Sequence, residues 1–161
     1  MSSAAADPAA RAVFVALVVA CFAAFFITQH LKHTPTAVQT FKLTPRFSPS
    51  PTGHIKQEGI SFKLAQADEV TVTVINSKGQ TVATLMRARH VPRYKQLSLR
   101  WNGRTGSPHG YGEVKTISGR SILVPKNRGK PAPPGEYRVR VSLAHRTQPV
   151  LSPRSFTLVK G

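Results

Sequence analysis

The 161-residue chain carries 23 lysines and arginines against 6 aspartates and glutamates, a formal net charge of +17. So strong a basic bias favours anionic partners such as nucleic acid, lipid head groups or acidic wall polymers. The scarcity of carboxylates counts against hydrolase chemistry built on paired acids or a triad acid, and the single cysteine, Cys21, excludes an intramolecular disulfide.

Residues 1–11 read as an N-terminal tail. Ala12 to Ile27, AVFVALVVACFAAFFI, is sixteen residues without a polar side chain, and Thr28 and Gln29 extend it. A spanning helix takes about 20 residues, with about 17 as the lower bound. No polar face is present of the kind a helix on a soluble domain would show. Residues 12–29 therefore read as a single-pass transmembrane helix that meets lipid through Phe14, Leu17, Phe22, Phe25, Phe26 and Ile27. Two rivals stay open. A cleaved signal peptide is opposed by an n-region holding only Arg11, offset by Asp7, and by the lack of a small-x-small site after the run. A lipoprotein signal is suggested by Val18-Val19-Ala20-Cys21, but the apolar run continues past Cys21 as FAAFFI. Arg11 on one flank against Lys32, Lys42 and Arg46 on the other would hold the larger domain inside. Long domains translocate largely regardless of such counts.

Residues 30–54 are rich in threonine, serine and proline and read as an extended linker. His30 and His33 have helical spacing for a metal pair. With no third ligand nearby they read instead as polar residues at the end of a membrane helix.

Residues 55–161 read as the folded domain, and from Gly59 the period changes to two. Ile60, Phe62 and Leu64 alternate with Ser61 and Lys63; Val70, Val72 and Val74 alternate with Thr71 and Thr73. AQADE and NSKG supply turns, and QTVATL is the next strand. Leu97, Leu99 and Trp101 alternate with Ser98 and Arg100; Tyr137, Val139, Val141 and Leu143 alternate with Arg138 and Arg140; Phe156 and Leu158 close the pattern. About seven short strands with one face buried and one wet predict an all-β antiparallel sandwich. Trp101, Tyr137, Val139 and Val141 are its expected core anchors, with Asn102-Gly103 ending the tryptophan strand.

Three segments in order carry a family resemblance: FSPSPTG…ISFKLAQADEVTVTVINSKGQTVATL (Phe47 to Leu85), LRWNGRTG (Leu99 to Gly106) and PAPPGEYRVRVSL (Pro131 to Leu143, with Pro133 to Leu143 at its core), followed by SPRSFTLV. Together they resemble the Ig-like domain of the bacterial flagellar hook-capping protein, a module that recurs in many exported bacterial proteins. The resemblance implies an Ig-like sandwich, an extracytoplasmic place, and a role in assembly or scaffolding without catalysis. The chain departs from the family at SPSPTGHIKQ, where members often carry an acidic, glycine-rich opening. With no carboxylate before Glu58 in that stretch, a calcium loop is not expected. It departs again over about 105–134, an insertion in which Val114, Ile117, Ile122 and Val124 outline an extra hairpin around SGRS. Inserted hairpins tend to carry binding.

No phosphate loop and no nucleophile elbow occur, and Glu113 near His109 is poor support for an acid–base pair. No catalysis, metal, cofactor or small-molecule substrate is expected. Arg87, Arg89, Arg93, Lys95, Arg100 and Arg104 fall within eighteen residues, and Lys115, Arg120, Lys126, Arg128 and Lys130 follow in the insertion. On one face, with Tyr94 and Tyr111 for stacking, they would form a polyanion footprint. The plainer reading is a solvated, charge-biased surface. Two functions stand: a membrane-anchored Ig-like interaction or structural module with protein partners in an envelope or surface assembly, and a tethered binder of nucleic acid or anionic wall polymer.

Overall fold

The computed structural model describes residues 8–32, 36–51 and 53–160. The chain divides into two compact units, one ending at Pro35 and the other beginning at Thr36. The first holds a single helix, α1 (Pro8–Lys32). Proline at its first position loses no hydrogen bond, because that N–H has no intrahelical partner anyway. The stretch Ala9–Gln29 is long and apolar enough to cross a membrane, and its side chains from Val13 to Ile27 are exposed. The helix outruns residues 12–29 at both ends, so part of the expected tail is helical. The His30 and His33 pair lies outside the residues whose side chains the structure describes.

The second unit is built of β1 (Val38–Leu43), β2 (Arg46–Phe47), β3 (Glu58–Leu64), β4 (Asp68–Asn76), β5 (Thr81–Val91), β6 (Gln96–Trp101), β7 (Pro108–Lys115), β8 (Ser121–Asn127), β9 (Gly135–Leu143), β10 (Val150–Leu151) and β11 (Phe156–Leu158). One sheet has the order β1-β3-β6-β8-β7. The other has the order β2-β11-β9-β4-β5, with β10 also on β9.

Two expectations are corrected here. The stretch 30–54, expected as a linker, carries strands among its described residues. These are β1, paired with β3, and β2, paired with β11, and Phe47 is a core residue at 2% exposure, so the β-unit starts at Thr36 rather than 55. The prolines that suggested a spacer stand at the crossing between sheets (Pro45) and in the loop after β2 (Pro49, Pro51), where no ladder bond is lost. The sheets are also mixed rather than antiparallel: β6 pairs with β8, and β2 with β11, in parallel. Alternation assigns faces, not strand direction, so it carries no signal for these pairings.

The inward residues of both sheets form one core. Ile60, Phe62 and Leu64 from β3 meet Val70, Val72 and Val74 from β4 and Val139 and Val141 from β9, all at 1% exposure or less. Trp101 is fully buried, with ring centroids of Phe47 at 5.6 Å, Tyr137 at 5.7 Å and Phe156 at 6.0 Å, all three from the opposite sheet. Its indole Nε1–H donates to the carbonyl of Arg104 at 2.8 Å, so burying the ring strands no polar group. Gly103, at φ +75°, turns the chain back to make that bond. Its missing side chain leaves room for Leu158, Pro49 and Phe47, whose atoms lie 3.3–3.5 Å from where a Cβ would stand.

Candidate partner-binding surface

The eleven cations singled out in the sequence do not form one stripe; the fold sorts them into separate places. The first is a cleft of about 190 Å³ between the end of β5, β6 and the β7–β8 hairpin, lined by Arg89 and Lys95 with Ser98, Ser121 and Glu113. Arg89 reaches it because of a bulge. Val70 pairs with Arg89 and Val72 with Met86, so β5 holds one extra residue between these pairs, and Ala88 adopts φ +40° with its N–H on Thr71 Oγ1 at 3.1 Å. The bulge breaks the alternation and exposes four residues in a row, Arg87 to His90, between buried Met86 and Val91. Arg89 lies over the Tyr111 ring, 5.8 Å from its centroid.

Arg93 is spent on structure. Its Nε–H donates to the carbonyl of Ala65 at 3.0 Å, Nη2 donates to Tyr94 Oη at 2.9 Å, and its guanidinium stacks 4.5 Å from the Tyr94 centroid. Arg104, Arg128 and Lys130 gather at the base of the hairpin. There Arg104 Nη1 donates to the Gly129 carbonyl at 3.3 Å and the Thr105 N–H to the Lys130 carbonyl at 2.9 Å. Asn127 ties the same base to β5, donating through Nδ2 to the carbonyls of Thr84 (3.0 Å) and Gly106 (2.6 Å).

Arg100 and Lys126 share the outer face of the five-stranded sheet. The alternation there turns Leu99, Pro125 and Asn127 inward and their neighbours outward. Two cations outside the eleven join them on that face: Lys63, beside buried Phe62 and Leu64, and Lys42 of β1. A shallow groove on the face is lined by Lys42, Ser61, Ser98, Arg100 and Ile122. No carboxylate occupies an outward position on β1, β3, β6, β7 or β8; Glu113 faces the cleft. Lys63 was visible in the sequence as the polar partner of an alternating pair. Lys42 was not, because its strand lies within the proline-rich stretch. The remaining pair, Lys115 and Arg120, flanks the turn between β7 and β8.

Two buried acids stand apart from these cations. Glu58 opens β3 with no exposure, opposite Trp101 in register, and burial pushes its carboxyl up to about 8 against the lowering effect of the Thr44 amide. Its Oε1 accepts from the Thr44 N–H at 2.8 Å, and Oε2 has no protein partner. Asp68 opens β4, nearly buried. Burial alone would raise its carboxyl, but the hydrogen bond from His145 (2.8 Å to Nδ1) and the amides of Glu69 and His145 hold it below the usual value. Among the described residues no three His, Cys, Asp or Glu side chains converge as metal ligands would.

No protein-family model matches the chain, and no curated protein matches it.

Proposed function

We propose that this chain is a membrane-anchored Ig-like interaction and structural module, facing outward in an envelope or surface assembly and without catalysis of its own. The observation that carries the reading is α1: twenty-one residues from Ala9 to Gln29, with no polar side chain from Ala12 to Ile27, and with rings such as Phe14 and Phe26 more than two-thirds exposed. Leaving that surface in water costs about 25 cal/mol per Å², and a bilayer removes the cost. The Ig-like part rests on the resemblance in the three sequence segments and is supported by two sheets closing on one core around Trp101. Alkaline carbonate extraction tests the anchor; a chain released into the supernatant overturns it. Protease treatment of intact cells tests the outward placement; a domain protected until lysis overturns that.

The second reading, a tethered polyanion binder, is favoured by the acid-free outer face with Lys42, Lys63, Arg100 and Lys126. It requires binding of nucleic acid or anionic wall polymer that falls steeply with salt. Neutralising Arg100 and Lys126 together would lower the logarithmic salt slope by about one for each phosphate that the variant no longer pairs. Absent or salt-insensitive binding removes it.

A further inference from the structure

The β7–β8 hairpin ends in a combination that the interaction reading leaves unexplained. Ile117 stands fully exposed in the turn. It is held there, not left loose: Thr116 N–H donates to the Arg120 carbonyl at 2.9 Å, Gly119 N–H to the Thr116 carbonyl at 2.8 Å, and Arg120 N–H to Thr116 Oγ1 at 3.1 Å. Gly119, at φ +74°, permits the turn. Directly below it Val114 pairs across the strands with Ile122 on the outward side, and Val114 is nearly half exposed. Lys115, the last residue of β7, and Arg120, the turn residue just before β8, bracket this apolar end.

We infer that the hairpin tip docks on an anionic lipid surface, Ile117 entering the interface while Lys115 and Arg120 meet lipid phosphates. A soluble polyanion would use the two cations but leaves an exposed isoleucine between them with nothing to touch. A bilayer interface takes both, apolar side chain inward and cations at the head groups. The inference rests on the anchoring reading only in so far as the tether keeps the domain near lipid; the tip chemistry stands without it.

The test uses the full-length chain with Ile117→Cys in a Cys21→Ser background, labelled at residue 117 with a polarity-sensitive dye. The protein is reconstituted into phosphatidylcholine vesicles, or into vesicles that also contain phosphatidylglycerol. Phosphatidylglycerol vesicles, or inorganic polyphosphate, are then added to the first. The expected result is an apolar, blue-shifted emission with phosphatidylglycerol, in the same or the added vesicles, and a water-like emission with phosphatidylcholine alone or with polyphosphate. Lys115→Gln with Arg120→Gln should raise the phosphatidylglycerol needed for half the shift, weakening docking about 30-fold, the worth of two cations at an anionic surface. Water-like emission in every arrangement overturns the inference. An equal shift in phosphatidylcholine overturns the anionic requirement, and a response to polyphosphate alone assigns the tip to a soluble polymer. Carbonate extraction of the same vesicles scores the anchor separately, so a chain that fails to insert but still shifts with added vesicles fails one reading and passes the other.

Discussion

Glu58 and Thr44 meet where the first strand leaves one sheet for the other. The Glu58 carboxyl accepts the Thr44 N–H at 2.8 Å, Thr44 Oγ1 in turn accepts the Gly59 N–H at 3.2 Å, and the next residue, Pro45, starts the crossing to β2. An acid at the crossing makes this joint sensitive to pH. Its carboxyl titrates near 8 in the fold against 4.5 in the unfolded chain. A value raised by folding means that stability is greatest below 4.5, falls as pH climbs from 4.5 through 8, and is flat above. The total is on the order of 5 kcal/mol at 1.36 kcal/mol per unit. Glu58→Gln keeps the acceptor but cannot ionise. Thermal melts from pH 5 to 9 should show the parent losing stability relative to the variant up to about pH 8 and a constant difference beyond it. Parallel curves would show that Glu58 is not the titrating group.

Trp101 is fixed by rings on three sides and by one hydrogen bond. Trp101→Ala should cost about 3–5 kcal/mol. Trp101→Phe keeps most of the packing but strands the Arg104 carbonyl, costing about 1–3 kcal/mol. Denaturant titration separates the two. A Trp101→Ala variant as stable as the parent would remove Trp101 as the core anchor.

The base of the hairpin depends on a glycine for room rather than for backbone freedom. A Cβ on Gly129 would lie 2.2 Å from the Thr105 carbonyl oxygen, a backbone atom that cannot swing away. Gly129→Ala should destabilise by about 1–3 kcal/mol and raise amide exchange at Thr105 and Gly106, whose N–H groups bond Lys130 and Val82. Gly110 on the same hairpin has nothing within 4 Å of its missing Cβ. Gly110→Ala should change stability by no more than about 0.5 kcal/mol, and the contrast between the two variants is the measurement.

The Asp68–His145 pair works in the opposite pH direction. Its carboxyl lies below 3.8 in the fold, so its contribution is present above 3.8 and disappears as pH falls through the folded value. The His145 side chain is 83% exposed, which limits the pair to about 1 kcal/mol or less. His145→Ala should therefore lower stability slightly at pH 6, and the difference should shrink as pH falls below 3.8; a larger loss, or one that does not shrink in acid, would point to packing instead.

The strands that alternate cleanly, β3, β4, β6 and β9, were legible because one face of each is buried and period two follows directly. β1 and β2 were not. β1 is an edge strand with a bulge at Thr40, φ +53°, and β2 is two residues long beside a proline, so neither shows a period. The cations were legible as a count but not as a surface. The bulge at Ala88 turns Arg87 and Arg89 out together, Arg93 is consumed by Ala65 and Tyr94, and the pairing of β8 with β6 brings Lys126 onto the same sheet face as Arg100. Each of these depends on neighbours distant in sequence. The tip of the hairpin was readable as a turn, but the full exposure of Ile117 there was not.

The second strand of the β-unit and its last strand are also mechanical partners. β2 and β11 run side by side in the same direction, clasped by Thr157 N–H on the Pro45 carbonyl at 2.9 Å and Val159 N–H on the Phe47 carbonyl at 3.0 Å. Tension drawn between the two ends of the domain pulls these strands past each other lengthwise, so the clasp is loaded in shear and its bonds share the force. The β7–β8 hairpin, pulled at its two strand ends, opens one bond at a time. In a single-molecule pulling experiment the domain should hold to higher force from its ends than from handles at residues 108 and 127.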